Sequence, residues 1–208
     1  MSKEAEVKHF IQMSTIAVYG NVDCITEDTN VNPVTLYGKS KLKADIALTE
    51  LESEDFKVTS IRPPMVYGGG IAPGNMMRLV NLTYKGVYVP FGNINNVRDF
   101  INVDNLLDCI EVIINNTIGG VIIPTDREPV STEVIIQTIC KVAVLKPKLI
   151  VLPKVFLRLI KLLKPSIYNK VFGSLTVKCN IDKSLYSPKH STEEGIKEMV
   201  IAYKNNKK

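Results

Sequence analysis

The stretch HFIQMSTIAVYG, residues 9–20, decides the fold. Its first part is mostly apolar, it continues into two small hydroxyl residues, Ser14 and Thr15, and Gly20 begins a loop. Near-continuous apolar runs are typical of parallel strands that are covered on both faces. We therefore expect a central strand of a parallel sheet, with both hydroxyl groups at its carboxyl end.

The segment that follows changes to a helical pattern. Residues 35–54 are amphipathic, and an apolar stripe of this kind usually faces the core. The stripe consists of Ala44, Ile46, Ala47 and Leu51. A second strand is predicted at residues 57–62, where β-branched residues precede Pro63 and Pro64, which we expect to lead the chain out of the sheet.

The remaining elements alternate between strands and helices. We predict strands at residues 87–91, 119–123 and 149–152, and helices at 75–85, 103–115, 131–142, 152–163 and 191–204. The helix at 103–115 is expected to be opened by Asp104. Alternation of this kind predicts an α/β architecture with a parallel sheet.

Composition excludes several classes of protein. The net charge of +5 comes without a run of five basic residues, which gives no case for nucleic acid. The four cysteines include no C-x-x-C pair, so we expect neither disulfides nor a metal site. The chain also shows no signal-peptide pattern and no apolar stretch long enough to cross a bilayer. A cytoplasmic location is therefore expected.

The pattern Tyr-x-x-x-Lys at residues 37–41 suggests acid/base chemistry. Residues four apart lie on one helix face, so Tyr37 and Lys41 are neighbours. An ammonium beside a phenol favours its phenolate form, which helps a tyrosine exchange a proton near neutral pH. Taken alone, the pattern more often marks an amphipathic pair on a solvated helix face. Thr15 at the carboxyl end of the first strand supports a site, because ligands of open α/β sheets bind at that edge.

Four motifs in order extend this picture over nearly the whole chain: residues 14–20, 37–41, 62–68 and 98–105. Together they resemble the extended short-chain dehydrogenase/reductase family, the NAD-dependent epimerases and dehydratases. Residues 171–175 and 186–195 look like the C-terminal part of nucleotide-sugar enzymes of cell-surface polysaccharide synthesis.

The resemblance implies a fold and a division of the chain. We expect the C-terminal part of a Rossmann-type parallel sheet with a smaller C-terminal substrate-binding subdomain. Residues 1–68 would form a partial Rossmann domain with the catalytic helix. Residues 69–208 would form the substrate-binding subdomain, with some segments returning to the sheet.

The resemblance also implies residue roles at the reacting centre. Tyr37 would be the acid/base, Lys41 would support it, and Thr15 would hydrogen-bond the reacting sugar oxygen. Ser14 would join Thr15 in binding substrate. Arg98 would meet the diphosphate of the nucleotide, since a guanidinium fork suits phosphate oxygens, although an ion-pairing arginine is the alternative.

The cofactor would be NAD or NADP. By the resemblance, Tyr37 and Lys41 would contact the nicotinamide ribose, and the backbone from Pro64 to Val66 would lie beside the nicotinamide. No glycine-rich turn of the dinucleotide-binding type precedes Thr15. The glycines at residues 68–74 have the wrong spacing and are expected to form a substrate-side loop. We therefore expect a truncated enzyme whose isolated chain binds the cofactor weakly.

The sequence departs from the family pattern at two places, and each departure narrows the type of reaction expected. Sugar dehydratases carry an Asp-Glu pair after the active-site threonine, where this sequence has Ile16 and Ala17, which argues against elimination. Many epimerases have Asn where Met65 stands, which puts a galactose-type epimerase in doubt. The motif at 62–68 resembles the branch of 4-ketoreductases and related sugar epimerases.

Three functions therefore stay open. The first is a nucleotide-sugar epimerase or 4-ketoreductase acting on a nucleotide-diphosphate sugar. The second is a catalytically inactive remnant or interaction module that lacks the cofactor half. The third is a related reductase of steroid-like alcohols. The resemblance leaves room for a homodimer.

One segment is both basic and apolar. Residues 152–164 place Lys154, Arg158 and Lys161 at helical spacing among large apolar side chains. This pattern suits a helix that lies on an anionic membrane, but it is also common in helices of ordinary globular proteins. We expect this helix to pack on the core rather than to touch a membrane.

Overall fold

The computed structural model describes residues 5–70 and 74–206. The strands are β1 (His9–Met13), β2 (Cys24–Ile25), β3 (Lys57–Ile61), β4 (Met65–Tyr67), β5 (Val89–Gly92), β6 (Phe100–Asn102), β7 (Gly120–Ile122), β8 (Leu149–Val151) and β9 (Thr176–Val177). The helices are α1 (Leu36–Thr49), α2 (Asn75–Tyr84), α3 (Val103–Asn116), α4 (Thr132–Ala143), α5 (Lys154–Leu163), α6 (Pro165–Phe172) and α7 (Thr192–Asn205), and a 3-10 helix spans Ile16–Tyr19.

The main sheet has the strand order β1-β3-β7, and both pairs are parallel. Ile61 pairs with Met13 on one side and with Ile122 on the other, so β3 is the central strand. Three further parallel pairs join β2 to β9, β4 to β6 and β5 to β8. The expected α/β architecture with a parallel Rossmann-type sheet is confirmed.

Four short strands and helix α6 were not predicted from the sequence, although β7 and β8, with three residues each, were. Strands β2, β4, β6 and β9 have only two or three residues each, too few for a hydrophobic period to show. The chain also re-enters a sheet as β4 directly after Pro63 and Pro64, where we expected it to leave. The expected start of α3 is corrected as well, because the side chain of Asn102, and not Asp104, caps this helix.

The expectation that α1 buries its apolar stripe is wrong. Ile46 is 51% exposed, and the buried positions of the helix are Gly38 and Asp45. The helix therefore meets the rest of the fold through Gly38, Asp45 and the partly buried Leu42, and not through the predicted stripe. The reason is that this face of α1 meets the Ala17 carbonyl and the Arg62 guanidinium.

The expectation for α5 is also wrong. This helix was predicted to pack on the core, but none of its residues is buried. Its main neighbour is α6, the next helix of the chain.

The largest apolar cluster lies between α2, α4 and α7. Its buried members include Met76, Val80, Ile139 and Met199. A polar centre borders it, where the carboxylate of Asp126 accepts hydrogen bonds from the Tyr67 hydroxyl, the Asn102 backbone N–H and the Asn105 amide at 2.7–3.0 Å. Burial raises the pKa of Asp126, while these three donors favour its charged form.

No helix within the described residues is both long and apolar enough to span a bilayer.

Close packing of α7 predicts an effect of Gly195→Ala. A Cβ at this position would lie 2.5 Å from Asn102 Nδ2 and 2.7 Å from Tyr67 Cε2. Overpacking of this kind costs about 1–3 kcal/mol, so urea denaturation should show a loss of stability in that range. Gly74→Ala is the control, because no described residue beyond its chain neighbours lies within 4 Å of such a Cβ and its backbone is extended. Equal stability of the two variants would contradict this account of α7.

Candidate active site

The carboxyl end of β1 carries the first part of the site. Thr15 follows it and caps the 3-10 helix, its Oγ1 accepting a hydrogen bond from the Ala17 backbone N–H at 3.2 Å. An accepting hydroxyl still has its own proton to donate. Thr15 is half-buried at the edge of the sheet where the sequence placed it.

Helix α1 brings Tyr37 and Lys41 to the same edge. Lys41 Nζ donates to the backbone carbonyl of Met13, the last residue of β1, at 2.9 Å. The same nitrogen lies 6.0 Å from the centroid of the Tyr37 ring. The Tyr37 side chain is 56% exposed, which leaves it accessible to a ligand. The predicted adjacency of Tyr37 and Lys41 is thus seen, at the end of the predicted strand.

The absence of a side chain at Gly38 allows α1 to approach the 3-10 helix closely. A Cβ at Gly38 would lie 2.6 Å from the carbonyl oxygen of Ala17, closer than real Cβ contacts. The first turn of α1 therefore rests directly on the backbone of the 3-10 helix that Thr15 caps. This contact brings the start of the helix that bears Tyr37 against the segment that follows Thr15.

A buried polar network lies behind the pair. Asp45, one turn after Lys41 on α1, accepts a hydrogen bond from the Ser14 hydroxyl at 2.8 Å. The same oxygen of Asp45 receives the Nε of Arg62 at 3.0 Å. Arg62 also donates from Nη1 to the Tyr19 hydroxyl at 3.0 Å. The network joins α1 to β1, to the end of β3 and to the 3-10 helix.

This network bears on two sequence inferences. Ser14 was predicted to bind substrate, and its hydroxyl is buried and donates to Asp45. Its substrate role therefore stays a prediction. Asp45 and Tyr19 were not singled out from the sequence. A signal was available for Asp45, since it follows Lys41 by four residues and so lies on the same helix face.

A cavity of about 290 Å³ lies between α2, β6 and the end of α6. Its lining combines apolar groups with three cationic side chains, from Arg78, Arg98 and Lys170. The sequence predicted Arg98 alone of these three. An apolar wall with convergent cations can hold an organic anion such as a nucleotide.

Part of the Arg98 guanidinium is already hydrogen-bonded to backbone carbonyls of the fold. Its Nε donates to the Gly173 carbonyl at 2.9 Å, and its Nη2 donates to the carbonyls of Asn169 and Lys170 at 2.8 and 2.9 Å. Burial lowers the pKa of this guanidinium, which nevertheless stays charged. Among the described residues Nη1 has no hydrogen-bond partner, so two N–H groups remain for an anion.

The predicted cofactor-side and loop residues follow β3. Pro64 is buried, and Val66 is partly exposed within β4, paired with Ile101. The contact of both with a nicotinamide stays a prediction. The predicted substrate-side loop begins at Gly68 and includes residues 71–73, which lie outside the described residues.

Together these features define an α/β protein with a tyrosine-lysine pair at the carboxyl edge of a parallel sheet. The family described as the NAD-dependent epimerase/dehydratase family matches residues 1–122. The chain belongs to this family.

Individual relatives agree with this assignment. The chain is 32% identical over 216 residues to a UDP-glucose 4-epimerase of Vibrio cholerae, covering 96% of this chain and 64% of the relative. A UDP-glucuronic acid 4-epimerase from Bacillus cereus, solved in complex with NAD, superposes with a TM-score of 0.78 at 21% identity, covering 100% of this chain and 65% of that one.

A dTDP-glucose 4,6-dehydratase from Bacillus anthracis, also solved with NAD, superposes with a TM-score of 0.72 at 21% identity, over 99% of this chain and 64% of that one. At such identities the structural likeness concerns the fold. The chain spans just under two thirds of the length of these relatives.

The buried network predicts a large effect of Asp45→Ala. This change leaves the Arg62 guanidinium buried without its counter-charge, which typically costs about 3–5 kcal/mol. Urea denaturation should show a loss of that order. Glu193→Ala is the control, because its ion pair with Lys141 is well exposed and should contribute less than about 1 kcal/mol. If the two variants lost the same small amount, the network would not hold α1.

Proposed function

We propose that this site carries out nicotinamide-dependent hydride transfer at C4 of a nucleotide-linked sugar, as a 4-epimerase or a 4-ketoreductase. The observation that carries the proposal is the position of Lys41, bonded to the last carbonyl of β1 and next to the Tyr37 ring. Thr15 follows that strand directly. The proposal is further supported by the name of the Vibrio cholerae relative, a UDP-glucose 4-epimerase.

Each of the three residues has a distinct task. The Tyr37 phenolate takes the proton of the sugar hydroxyl as that group becomes a carbonyl and its hydride leaves to the cofactor, and the resulting Tyr37 hydroxyl gives the proton back when a carbonyl is reduced. The Lys41 ammonium stabilises the phenolate that this exchange leaves behind. Thr15 donates its free hydroxyl proton to the same sugar oxygen and so orients it.

The residues at this edge suit a nicotinamide cofactor. An ammonium has three protons, and the structure gives Lys41 one hydrogen bond among the described residues, to Met13. Two protons remain for ribose hydroxyls, together with the accessible Tyr37 hydroxyl. NAD, present in the solved neighbours, supplies hydride acceptance and return when bound. The backbone from Pro64 to Val66 would border the nicotinamide.

The cavity between α2 and α6 would take the nucleotide. Arg78 and Lys170 would neutralise the diphosphate, and the two free N–H groups of Arg98 Nη1 would add to them. Apolar side chains of the same cavity, among them Leu79 and Phe91, would cover the base and ribose. In this proposal Ser14 positions Asp45, and Thr15 beside it orients the sugar oxygen.

Redox at C4 is favoured over elimination of water. The residues after Thr15 are Ile16 and Ala17, and the first turn of their 3-10 helix holds no acidic side chain. The elimination step would need a carboxyl pair at this place. We further propose that residues 1–68 provide the cofactor side and residues 69–208 the substrate side, and that the sugar serves cell-surface polysaccharide synthesis in the cytoplasm.

Tyr37→Phe tests the catalytic part of the proposal. Removing the hydroxyl should lower kcat for a UDP-sugar by about 10²–10⁴-fold, the usual contribution of a general acid/base. Affinity for UDP-glucose, measured by calorimetry, should change less than about twofold, because Tyr37 does not bind the nucleotide. Tyr88→Phe is the control, since Tyr88 is exposed and outside the site.

The wild type should epimerise a UDP-sugar at C4, or reduce a UDP-4-keto sugar, with NAD or NADP added. UDP-sugar binding without any turnover would overturn the enzymatic proposal in favour of an inactive module. Turnover of a steroid-like alcohol without UDP-sugar binding would favour the third interpretation.

Arg78→Ala tests the nucleotide cavity. Loss of one charge-assisted contact to phosphate should weaken UDP-glucose binding about tenfold at low salt, and the difference should shrink as salt is added. Calorimetry on the two proteins at two salt concentrations measures both effects. The matched control is Lys85→Ala, which removes an exposed cation just beyond the end of the same helix. Equal weakening by both variants would place the nucleotide elsewhere.

A further inference from the structure

Helix α5 presents its apolar residues to the outside. Val155, Leu162 and Leu163 are 75%, 79% and 68% exposed. Phe156 and Leu159 lie near them and are about half exposed. Neighbouring segments add Val151 and Ile167, which are also exposed. These seven residues are called the α5 patch. Contiguous apolar surface of this kind marks a site of interaction.

The opposite side of α5 lies towards α6, and its cationic side chains remain exposed. Lys154, Leu157 and Lys161 line a cavity of about 400 Å³ with residues of α6 and of the loop after β5. Lys161 Nζ lies 5.5 Å from the centroid of the Tyr168 ring on α6. The helix is therefore oriented with its apolar stripe outward, the reverse of a helix that covers a core.

Charge is concentrated in the same part of the chain. Residues 134–181 contain nine Lys and Arg and no Asp or Glu. The rest of the chain then has 17 basic against 21 acidic residues. Around the α5 patch, Lys154, Arg158, Lys161 and Lys164 all have exposed side chains. The patch is thus an apolar surface ringed by cations in a protein that is otherwise slightly acidic.

We propose that the α5 patch docks on an anionic lipid surface. A helix with a strong apolar stripe and flanking Lys and Arg lies in the plane of the interface, with its apolar side among the acyl chains. Exposed cations at the rim of the helix then meet the lipid phosphates, which attract basic side chains near an anionic surface. Helix α5, with ten residues, is about 15 Å long, so it lies on such a surface and does not cross it.

Charge argues for lipid over a second copy of the chain. Two copies meeting through this patch would bring two strongly basic segments face to face, and like charges across an interface are unfavourable. An anionic bilayer supplies both complements at once, acyl chains for the apolar stripe and phosphates for the cations. The proposal is independent of the reaction, because no residue of the patch belongs to the catalytic site.

Flotation with vesicles tests the proposal. The wild-type chain should float with phosphatidylglycerol vesicles, float much less with phosphatidylcholine vesicles, and be released from the former by high salt. Leu162→Glu places a carboxylate at the centre of the patch and should lower the partition coefficient at least about tenfold. Leu107→Glu, at an apolar position on α3 that is 58% exposed against 79% for Leu162, is the control and should float like the wild type.

Circular dichroism and UDP-glucose binding check that both variants are folded. Absence of wild-type protein from the floated fraction would overturn the proposal. Equal loss in Leu162→Glu and Leu107→Glu would overturn it too, because the binding would then reflect overall charge. Sedimentation that shows a dimer lost in Leu162→Glu, without vesicle binding, would assign the patch to a second copy of the chain.

Discussion

The arrangement of the site depends on one buried ion pair, between Asp45 on α1 and Arg62 at the end of β3. Both side chains are almost fully buried, so the pair carries a large desolvation cost that only good geometry offsets. Ser14 and Tyr19 add hydrogen bonds to it, although Asp45 Oδ1 is buried without a hydrogen-bond partner among the described residues. Because a buried charge tolerates little displacement, the pair holds α1 against β1 and β3, and this helix carries the catalytic tyrosine and lysine proposed above.

The motif at residues 98–105 shows that a family signature also serves the scaffold. Asp99 accepts the backbone N–H of Val177, which anchors β9, and burial raises the pKa of this carboxyl. Asn102 caps α3, and Asn105 joins Asp126 to the backbone of His190. Arg98 binds carbonyls at the end of α6. Most side chains of this motif therefore hold segments together, and Arg98 combines that role with a place in the cavity.

Sequence patterns predicted the features that follow a regular period. The strand at β1, the helix that carries Tyr37 and Lys41, and the helices α4 and α7 all have local signals and are confirmed. Features that depend on distant residues were missed. The buried face of α1 is set by Arg62 and the Ala17 carbonyl, which a helical period cannot reveal. The orientation of α5 was wrong for the same reason, since its hydrophobic period does not say which side faces inward.

A double-mutant cycle on Asp45 and Arg62 tests the central claim most directly. The free energy of unfolding is measured for the wild type, Asp45→Ala, Arg62→Met and the double variant. Either single change leaves one buried charge unpaired, whereas the double change leaves none, so the account predicts a coupling energy of at least about 2 kcal/mol. A coupling within about 0.5 kcal/mol of zero would mean that the two residues act independently and would contradict it.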